Sequence, residues 1–435
     1  MQADQPPPAT GQGLARRYIF AATLGNALEF YDFVTFAFFA IQIGHAFFPA
    51  QSAFGSLMLS LATFGAGFIT RPIGGVVIGH YADRVGRRSA MVLSFTLMGL
   101  AVIALALIPS YATIGVAAPV LAIVARMVQG FALGGEVGPN TAYLLEAAPP
   151  QRRGAIVAWQ GGSQQIAAIV GSLVGLGLAA VLTDAALADY GWRIAFLLGG
   201  VTLPVGIWLR RTLPETLHAP EPAPPRESPR TAALPANVRL LTLGLLILSS
   251  TTIGTYVVNY MTTFAQNTLH LAPPIAFAAT LMPNVGSFCG VLFGGWLSDR
   301  VGRRPMMIWP KLIGLLLIMP VFHWIVVSHS VLALLGGVTL ASLFAAMANG
   351  AFYPALAESL PKNIRGRAFG IAYAVAITVF GGTTQLVVTW LIHVTGDQMA
   401  PGWYWLAASI VGFVAMILML ESAPAKAARL APRPV

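Results

Sequence analysis

Charge is scarce in this chain of 435 residues: Asp, Glu, Lys and Arg together make up 9%, against 57% hydrophobic residues. Soluble domains carry about 25% charged residues, so a soluble protein of this length could not cover its surface with so few. The single cysteine, Cys289, excludes an internal disulfide. A phosphate-binding Gly-x-x-x-x-Gly-Lys-Ser/Thr loop is also missing, which argues against an ATP-driven pump. We expect a protein that lies in a membrane.

Long apolar runs are what the sequence has in abundance. A helix needs about 20 mostly apolar residues to cross the hydrocarbon core. Twelve such stretches are present, at residues 18–43, 53–80, 89–108, 115–145, 155–182, 192–212, 239–266, 275–298, 305–327, 331–357, 367–394 and 402–421. The runs are too long for β-barrel strands and lack their alternation. We therefore predict an all-α membrane protein with twelve transmembrane helices.

The basic residues indicate the orientation. If both termini are cytoplasmic, all of the 25 Lys and Arg residues except Arg71, Arg126, Arg193 and Lys311 fall in the tails and the cytoplasmic loops. The opposite loops hold none, so the positive-inside rule is obeyed throughout. Topology thus explains the net charge of +10, and we predict no nucleic-acid partner.

The two halves of the chain repeat each other. The loop GHYADRVGRR at residues 79–88 matches GWLSDRVGRR at residues 295–304, and a proline-rich segment lies between the halves. This repeat indicates two pseudo-symmetric six-helix bundles. We predict a cytoplasmic tail at 1–17, a first bundle at 18–212, a cytoplasmic linker at 213–238, a second bundle at 239–421 and a cytoplasmic tail at 422–435.

The repeated loops carry aspartates among arginines. Asp83 and Asp299 lie at helix ends, where each can pair with an arginine, and such pairs would latch the cytoplasmic side shut. The alternative is a topological anchor made only of positive charge, which needs no aspartate. The predicted gating residues are Asp83, Arg87, Arg88, Arg153, Asp299, Arg303, Arg304 and Arg365.

Ionisable residues within the predicted spans are few and concentrate in the first half. Arg71 precedes Asp83 by 12 residues, which places it about 18 Å into a hydrocarbon core of about 30 Å. A guanidinium at this depth either clamps an anionic substrate through bidentate hydrogen bonds or pairs permanently with Glu29 or Asp32. Lys311 lies near the start of its span, and we expect it to extend toward the cytoplasmic surface.

Three acids are the predicted proton or ion coupling groups. Glu29 and Asp32 stand three residues apart and therefore share a helix face. Burial in a low dielectric favours the neutral acid, which suits a proton carrier. The alternative is an ion pair with Arg71 or Arg126 that only joins helices. Glu136 is the third candidate, too far along the fourth span to touch Arg126 on the same helix.

Neutral polar side chains supply the rest of the predicted substrate site. On the seventh span they recur at helical spacing, at Thr252, Tyr256, Asn259 and Tyr260. One face of this span is therefore polar, which is typical either of a pore lining or of hydrogen bonds between helices. The predicted substrate-binding residues are Arg71, Asn26, Arg126, Gln129, Tyr256, Asn259, Asn284, Asn349 and Tyr353.

The repeated Gly-x-x-x-Asp-Arg-x-Gly-Arg-Arg loop resembles the signature loop of the major facilitator superfamily. The first half is further similar to the metabolite:proton symporters of that superfamily, and short stretches are similar to their citrate and tricarballylate branch. The symporter motifs are GNALEFYDF at 25–33, RPIGG at 71–75, RMVQG at 126–130 and GWR at 191–193; the branch motifs include SQQ at 163–165 and FGGTT at 380–384. The resemblance implies the major facilitator fold, in which the halves rock around a midplane site.

The resemblance also implies a function. It predicts a secondary active transporter that imports an organic anion, citrate or a related di- or tricarboxylate, with protons by alternating access. Sodium coupling, proton symport of α-ketoglutarate, shikimate, proline or betaine, and proton-driven export stay open. We expect no enzyme, since no nucleophile–base pair or metal cluster occurs at depth, and no cofactor. We further expect a monomer in the lipid bilayer of a bacterial inner (plasma) membrane, multi-pass, with both termini cytoplasmic.

Overall fold

The computed structural model describes residues 11–85, 87–134, 137–201, 204, 234–361 and 365–423. Every regular element in these ranges is helical. Most of the predicted linker, the start of the first tail, the end of the last tail and Glu136 lie outside the described residues. The predicted domain boundaries stay a prediction.

Helices of very different lengths make up the described part of both halves. The main helices of the first half are α1 (Gly11–Phe38), α2 (Ala40–Phe47), α3 (Ala53–Ile69), α4 (Arg71–Val85), α5 (Arg87–Leu107), α6 (Ala117–Leu133), α7 (Val137–Ala147), α8 (Arg153–Val181) and α9 (Trp192–Gly200). The second half follows with α10 (Leu234–Asn267), α11 (Pro273–Val301), α12 (Arg303–Ser328), α13 (Val338–Ser359), α14 (Arg365–Ala376), α15 (Gly382–Thr395) and α16 (Ala400–Leu418).

In the part of the chain that the structure describes, the twelve predicted apolar stretches lie on helices. By length and composition, 8 of the described helical segments are able to cross a membrane, or 9 if the bent α1–α2 pair is one span. The third and fourth stretches appear as the shorter apolar helices Val92–Leu107 and Ala117–Leu133, and α9 covers the described part of the sixth. The chain is thus a multi-pass helical protein.

Local signals in the sequence set several helix boundaries. Ser52 precedes α3, and its Oγ accepts a hydrogen bond from the backbone N–H of Gly55 at 3.1 Å, which satisfies one of the free amides at a helix start. Gly302 adopts a φ of +112° between α11 and α12. Glycine reaches this conformation without steric cost, so Gly302 allows the chain to pass directly from one helix to the next. Gly396, at a φ of +69°, ends α15 in the same way.

The two halves contact each other through α8 against α11 and through α3 against α15. A methyl group on Gly295 would lie 2.6 Å from the carbonyl oxygen of Gly154, and one on Gly65 would lie 2.7 Å from that of Gly382. Small residues at helix crossings allow backbones to approach closely. At these two points the halves therefore meet backbone to backbone.

We call the membrane face that carries the loops at 79–88 and 295–304 the loop face, and the other the opposite face. Toward the opposite face, α2 follows α1 after a bend of 68°. Phe39 at this bend packs against Phe277 with ring centroids 5.0 Å apart. Just beyond it, the Gln42 Nε2 donates to Gln266 Oε1 at 3.3 Å. Both contacts join the first half to the second near the opposite face.

Candidate functional site: a central cavity beside two buried guanidinium groups

Two cavities adjoin each other, one lined by residues of both halves and the other by the second half together with Gln165 of the first. Their cavity volumes are about 30 and about 40 Å³, far below the roughly 300 Å³ or more of a small-molecule pocket, so the cavities are nearly closed in this conformation. Gln165, Thr251, Thr255 and Asn284 line both. We therefore treat them as one central cavity, at the position where two-bundle transporters bind their substrates.

Several predicted substrate residues of the second half do line this cavity. They are Tyr256, Asn259, Asn284, Asn349 and Tyr353. The Asn284 Nδ2 donates to the Asn259 Oδ1 at 3.4 Å, and the Asn349 Oδ1 accepts from a threonine hydroxyl of α10 at 3.0 Å. Side-chain amides supply donors that a carboxylate can use, so this wall suits an anion.

Arg71 is the first residue of α4 and is only 2% exposed. The centre of its guanidinium lies 4.4 Å from the ring centroid of Phe33, 4.6 Å from that of Phe68 and 5.9 Å from that of Phe30. Cation–π contacts of this kind contribute up to about 2 kcal/mol when they are desolvated. The rings hold the side chain in place without taking up its hydrogen-bond donors.

The Nε and Nη2 of Arg71 have no hydrogen-bond partner among the described residues. Tyr256 and Tyr373 lie within electrostatic reach of this guanidinium, and both line the central cavity. The Glu29 carboxylate also interacts electrostatically with the Arg71 guanidinium. A buried guanidinium donor without an acceptor is costly, so the site is arranged to receive an anion at this point.

Arg126 on α6 is fully buried, and one phenylalanine ring separates it from Arg71. Its guanidinium centre is 4.3 Å from the ring centroid of Phe33, 4.5 Å from Phe36 and 5.2 Å from Phe64. Its Nη1 donates to the Gln129 Oε1 at 2.5 Å. The ring of Phe33 thus contacts both guanidinium groups, and its π electrons screen one cation from the other.

The predicted coupling acids Glu29 and Asp32 are buried and act on different arginines. Glu29 interacts electrostatically with Arg71, and Asp32 with Arg126. Asp32 is 1% exposed, and neither carboxylate oxygen has a hydrogen-bond partner among the described residues. It lies against Gly199 of α9, where any side chain would collide with it. Both acids therefore lie close to the cation cluster.

Asn26 belongs to a polar network inside the first half. Its Nδ2 donates to the Ser163 Oγ at 2.7 Å, and its amide is 3.4 Å from Gln160. The Gln160 Oε1 in turn accepts from the Asn140 Nδ2 at 2.7 Å. Four predicted substrate residues are not among those that line the described cavity: Asn26, Arg71, Arg126 and Gln129. Of these, Arg71 and Arg126 interact electrostatically with the lining residue Tyr256.

Several polar cavity residues are absent from the set predicted from sequence. Gln164, Gln165 and Tyr373 line the cavity, and the Gln164 Nε2 donates to the Tyr373 Oη at 3.3 Å across the two halves. In the sequence, Gln164 and Gln165 stand out only as part of the SQQ motif. Tyr373 lies on α14 with no charged or polar pattern around it, so the sequence offers no signal for it.

The expectation that Lys311 extends to the cytoplasmic surface is wrong. Lys311 is 3% exposed, and its Nζ donates to the hydroxyls of Ser250 and Ser409, each at 3.2 Å. It lies about two helical turns inside α12, where α10 and α16 provide these acceptors. Two hydroxyl acceptors at hand remove the reason for a long side chain to extend to water.

Asp299 at the loop face connects the two halves. Its Oδ1 accepts from the backbone N–H of Gly154 at 2.8 Å and its Oδ2 from that of Ala155 at 2.9 Å. These amides begin α8, where a carboxylate is favoured by the helix dipole. Asp299 also accepts from the Arg303 Nη1 at 2.8 Å. The contact across the halves therefore uses backbone amides, and the arginine pairing lies within the second half.

Arg303 is the buried centre of the second loop. Its guanidinium pairs bidentately with Glu358, at 3.1 and 2.9 Å, and donates to the Ser298 Oγ at 2.6 Å. Arg365 forms an ion pair across the two halves, in which its Nη1 lies 3.5 Å from the Glu146 Oε1. The guanidinium of Arg304 bonds a backbone carbonyl, and the Nε of Arg153 has no partner among the described residues. The side chains of Asp83, Arg87 and Arg88 lie outside the described residues.

Asp299→Ala is expected to destabilise the protein by about 3 kcal/mol, because hydrogen bonds to a charged group contribute about 1.5 to 3 kcal/mol each. Glu146→Ala is the matched control, since it also removes a cross-half carboxylate. Its removal should cost less than about 1 kcal/mol, as Glu146 is 56% exposed. Denaturant unfolding of the purified protein in detergent measures both. Equal losses of stability would contradict the latch role of Asp299.

Comparison with known proteins identifies relatives along the whole chain. The sequence model of the Major Facilitator Superfamily matches residues 22–376 and 251–434. The citrate-proton symporter of Klebsiella pneumoniae is 40% identical over 409 residues, which cover 94% of this chain and 92% of that protein. That of Salmonella typhi is 37% identical over 419 residues, with 95% of each covered. The alpha-ketoglutarate permease of Escherichia coli (strain K12) is 32% identical over 93% of this chain and 94% of its own.

Solved structures share the fold. The partially occluded, inward-open xylose transporter XylE from E. coli superposes with a TM-score of 0.74 over 96% of this chain and 98% of its own, at 18% identity. The predicted fold of two six-helix bundles is thereby confirmed. The family match and the relatives above 30% identity agree with it, and the chain belongs to the major facilitator superfamily.

Proposed function

We propose that this protein is a secondary active transporter that imports an organic anion, citrate or a related di- or tricarboxylate, in symport with protons by alternating access. The observation that carries the proposal is Arg71, a buried guanidinium next to the central cavity with two donors that no described residue uses. The relatives named citrate-proton symporters, at 37 and 40% identity, support the choice of substrate.

Charge balance supports coupling to protons. A citrate-like anion carries up to three negative charges, and each costs about 2.3 kcal/mol per 100 mV to bring inward against the membrane potential. Co-transported protons offset this cost. Glu29 and Asp32 are suited to bind them, since they are buried beside Arg71 and Arg126 and an arriving anion would compete with them for the same cations.

The proposed cycle follows from these contacts. Cargo carboxylates bind Arg71 and the amides of the second half, and protons bind at Glu29 and Asp32. The halves then rock. The contact between Asp299 and α8 opens on one face, and that between Gln42 and its partner on α10 opens on the other.

We place the protein in the bacterial inner membrane as a monomer, with both termini and the loop face cytoplasmic. The absence of Lys and Arg from the loops of the other side supports this orientation. Transport requires only that the protein bind and release its cargo, as in the transporters to which the chain is related.

Uptake of labelled citrate into proteoliposomes tests the proposal. An inward proton gradient should drive accumulation, a protonophore should abolish it, and unlabelled α-ketoglutarate, shikimate and betaine show by competition which substrate class binds. Accumulation that needs a sodium gradient would replace the proton by sodium. Efflux driven by the proton gradient, or no carboxylate uptake at all, would contradict the proposal.

A further inference from the structure

Lys311 is a buried positive charge that the proposed cycle does not use. It is the only basic residue in the lining of the described cavities, on the part of the wall formed by the second half. Its ammonium donates to two serine hydroxyls, Ser250 on α10 and Ser409 on α16. An ammonium has three donors, so these neutral partners leave one N–H for another acceptor.

No Asp or Glu stands in the lining of either described cavity, and the ion pairs found among the described residues do not include Lys311. Burial of a charged group is costly unless an opposite charge compensates it. Two hydroxyl groups stabilise an ammonium only in part. The compensating anion is therefore expected to come from outside the protein.

The surroundings of Lys311 provide further hydrogen-bond donors. The Ser342 Oγ lines the same cavity, is buried and has no hydrogen-bond partner among the described residues. Asn349 lines it as well, and its Oδ1 is already occupied by the Thr251 hydroxyl, so that its amino group remains as a donor. An ammonium, a free hydroxyl and an amide at one wall form a suitable partner for a carboxylate.

The position of Lys311 complements that of Arg71. Arg71 belongs to the first half and lies within electrostatic reach of the lining residues Tyr256 and Tyr373, while Lys311 belongs to the second half and lines the adjoining part of the cavity. The two parts share four lining residues, among them Gln165. One cargo molecule with carboxylates at both ends is therefore able to contact a cation of each half.

We infer that Lys311 is a second anion contact, which binds a cargo carboxylate that Arg71 does not reach and so favours tricarboxylates over dicarboxylates. This inference rests on the proposed function, because it assumes that the cargo is a polycarboxylate. The competing explanation is purely structural: the ammonium would only tie α10, α12 and α16 together. In that case its removal would affect all cargoes alike.

The test compares Lys311→Met and Lys311→Arg with the wild type in proteoliposomes, using labelled citrate and labelled succinate. Lys311→Met should raise the citrate concentration for half-maximal uptake by about tenfold or more, the equivalent of removing one hydrogen bond to a charged group. The value for succinate should change by less than about threefold, and Lys311→Arg should restore part of the preference for citrate. Arg239→Met, which removes an exposed cation at the start of α10, is the control and should change neither.

Three outcomes would overturn the inference. The first is an equal loss of uptake for citrate and succinate, and the second is no change in the uptake of either. The third is loss of folding in both variants, which would show that the ammonium is structural. Melting curves of the purified proteins detect this third outcome. A wild type that takes up neither carboxylate would refute the proposed function itself. A wild type that takes up both, with unchanged kinetics in Lys311→Met, would refute only the role of Lys311.

Discussion

Arg71→Gln should lower the kcat/KM of carboxylate uptake by about 100-fold or more, since removal of a buried cation from an anion site costs about 3 kcal/mol or more. Arg71→Lys should recover little of it. The ammonium keeps the charge but lacks the planar fork that binds a carboxylate at two points. It would also lose the flat stacking on Phe33 and Phe68 that positions the guanidinium. Counterflow of labelled citrate in proteoliposomes measures the effect.

Binding and folding controls separate this prediction from a general defect. Calorimetric titration with citrate should show a weaker affinity in Arg71→Gln at a temperature at which the melting curve of the purified variant shows that it is folded. Arg239→Gln removes a positive charge outside the cavity and should transport normally. Undiminished uptake by Arg71→Gln would exclude the residue from the site and remove the main support for an anionic cargo.

Arg303→Met should have the largest effect on folding, a decrease of about 3 to 5 kcal/mol in stability. The guanidinium is completely buried and neutralises both Asp299 and Glu358. Removal of one partner from a buried pair leaves an uncompensated charge, which is the costly case. The fraction of protein that elutes as a single folded species in size-exclusion chromatography, followed over a temperature series, measures the decrease.

Two further variants give this prediction its controls. Arg304→Met, at the next position, removes an exposed guanidinium that bonds one carbonyl oxygen and should cost less than about 1 kcal/mol. The double variant Arg303→Met/Glu358→Met removes one of the orphaned acids and should be more stable than Arg303→Met alone. If Arg303→Met and Arg304→Met were equally stable, the buried cluster would not hold the second loop together.

The architecture was predictable from sequence because it depends on patterns that run along the chain. Apolar runs of membrane length indicate the helices, the repeated loop indicates the two bundles, and the distance of Arg71 from that loop places it at depth. In the structure, the Arg71 side chain is buried against the rings of Phe33 and Phe68. These properties depend on helix rise and bilayer thickness, which are the same for every sequence.

The details of the site depend on contacts between distant residues and were not predictable. No pattern indicates that Phe33 stands between two guanidinium groups, since several aromatic residues stand close to it near the end of that helix. Across the two halves, the partners of Asp299 are backbone amides of α8. Every residue except proline has such an N–H group, so no sequence pattern marks these partners. By its position in the sequence Lys311 is free to extend to the surface, because its serine partners lie 61 and 98 residues away in the chain.

The 68° bend between α1 and α2 separates two tasks on a single span. The longer arm carries Glu29, Asp32 and Phe33 beside the cations, whereas the short arm carries Gln42 toward the second half. A straight helix is stiff over its whole length, so a tilt at its tip would displace its middle. A break in the backbone ladder confines such a tilt to the short arm. We therefore expect that the short arm at the opposite face can tilt without displacing the charged centre.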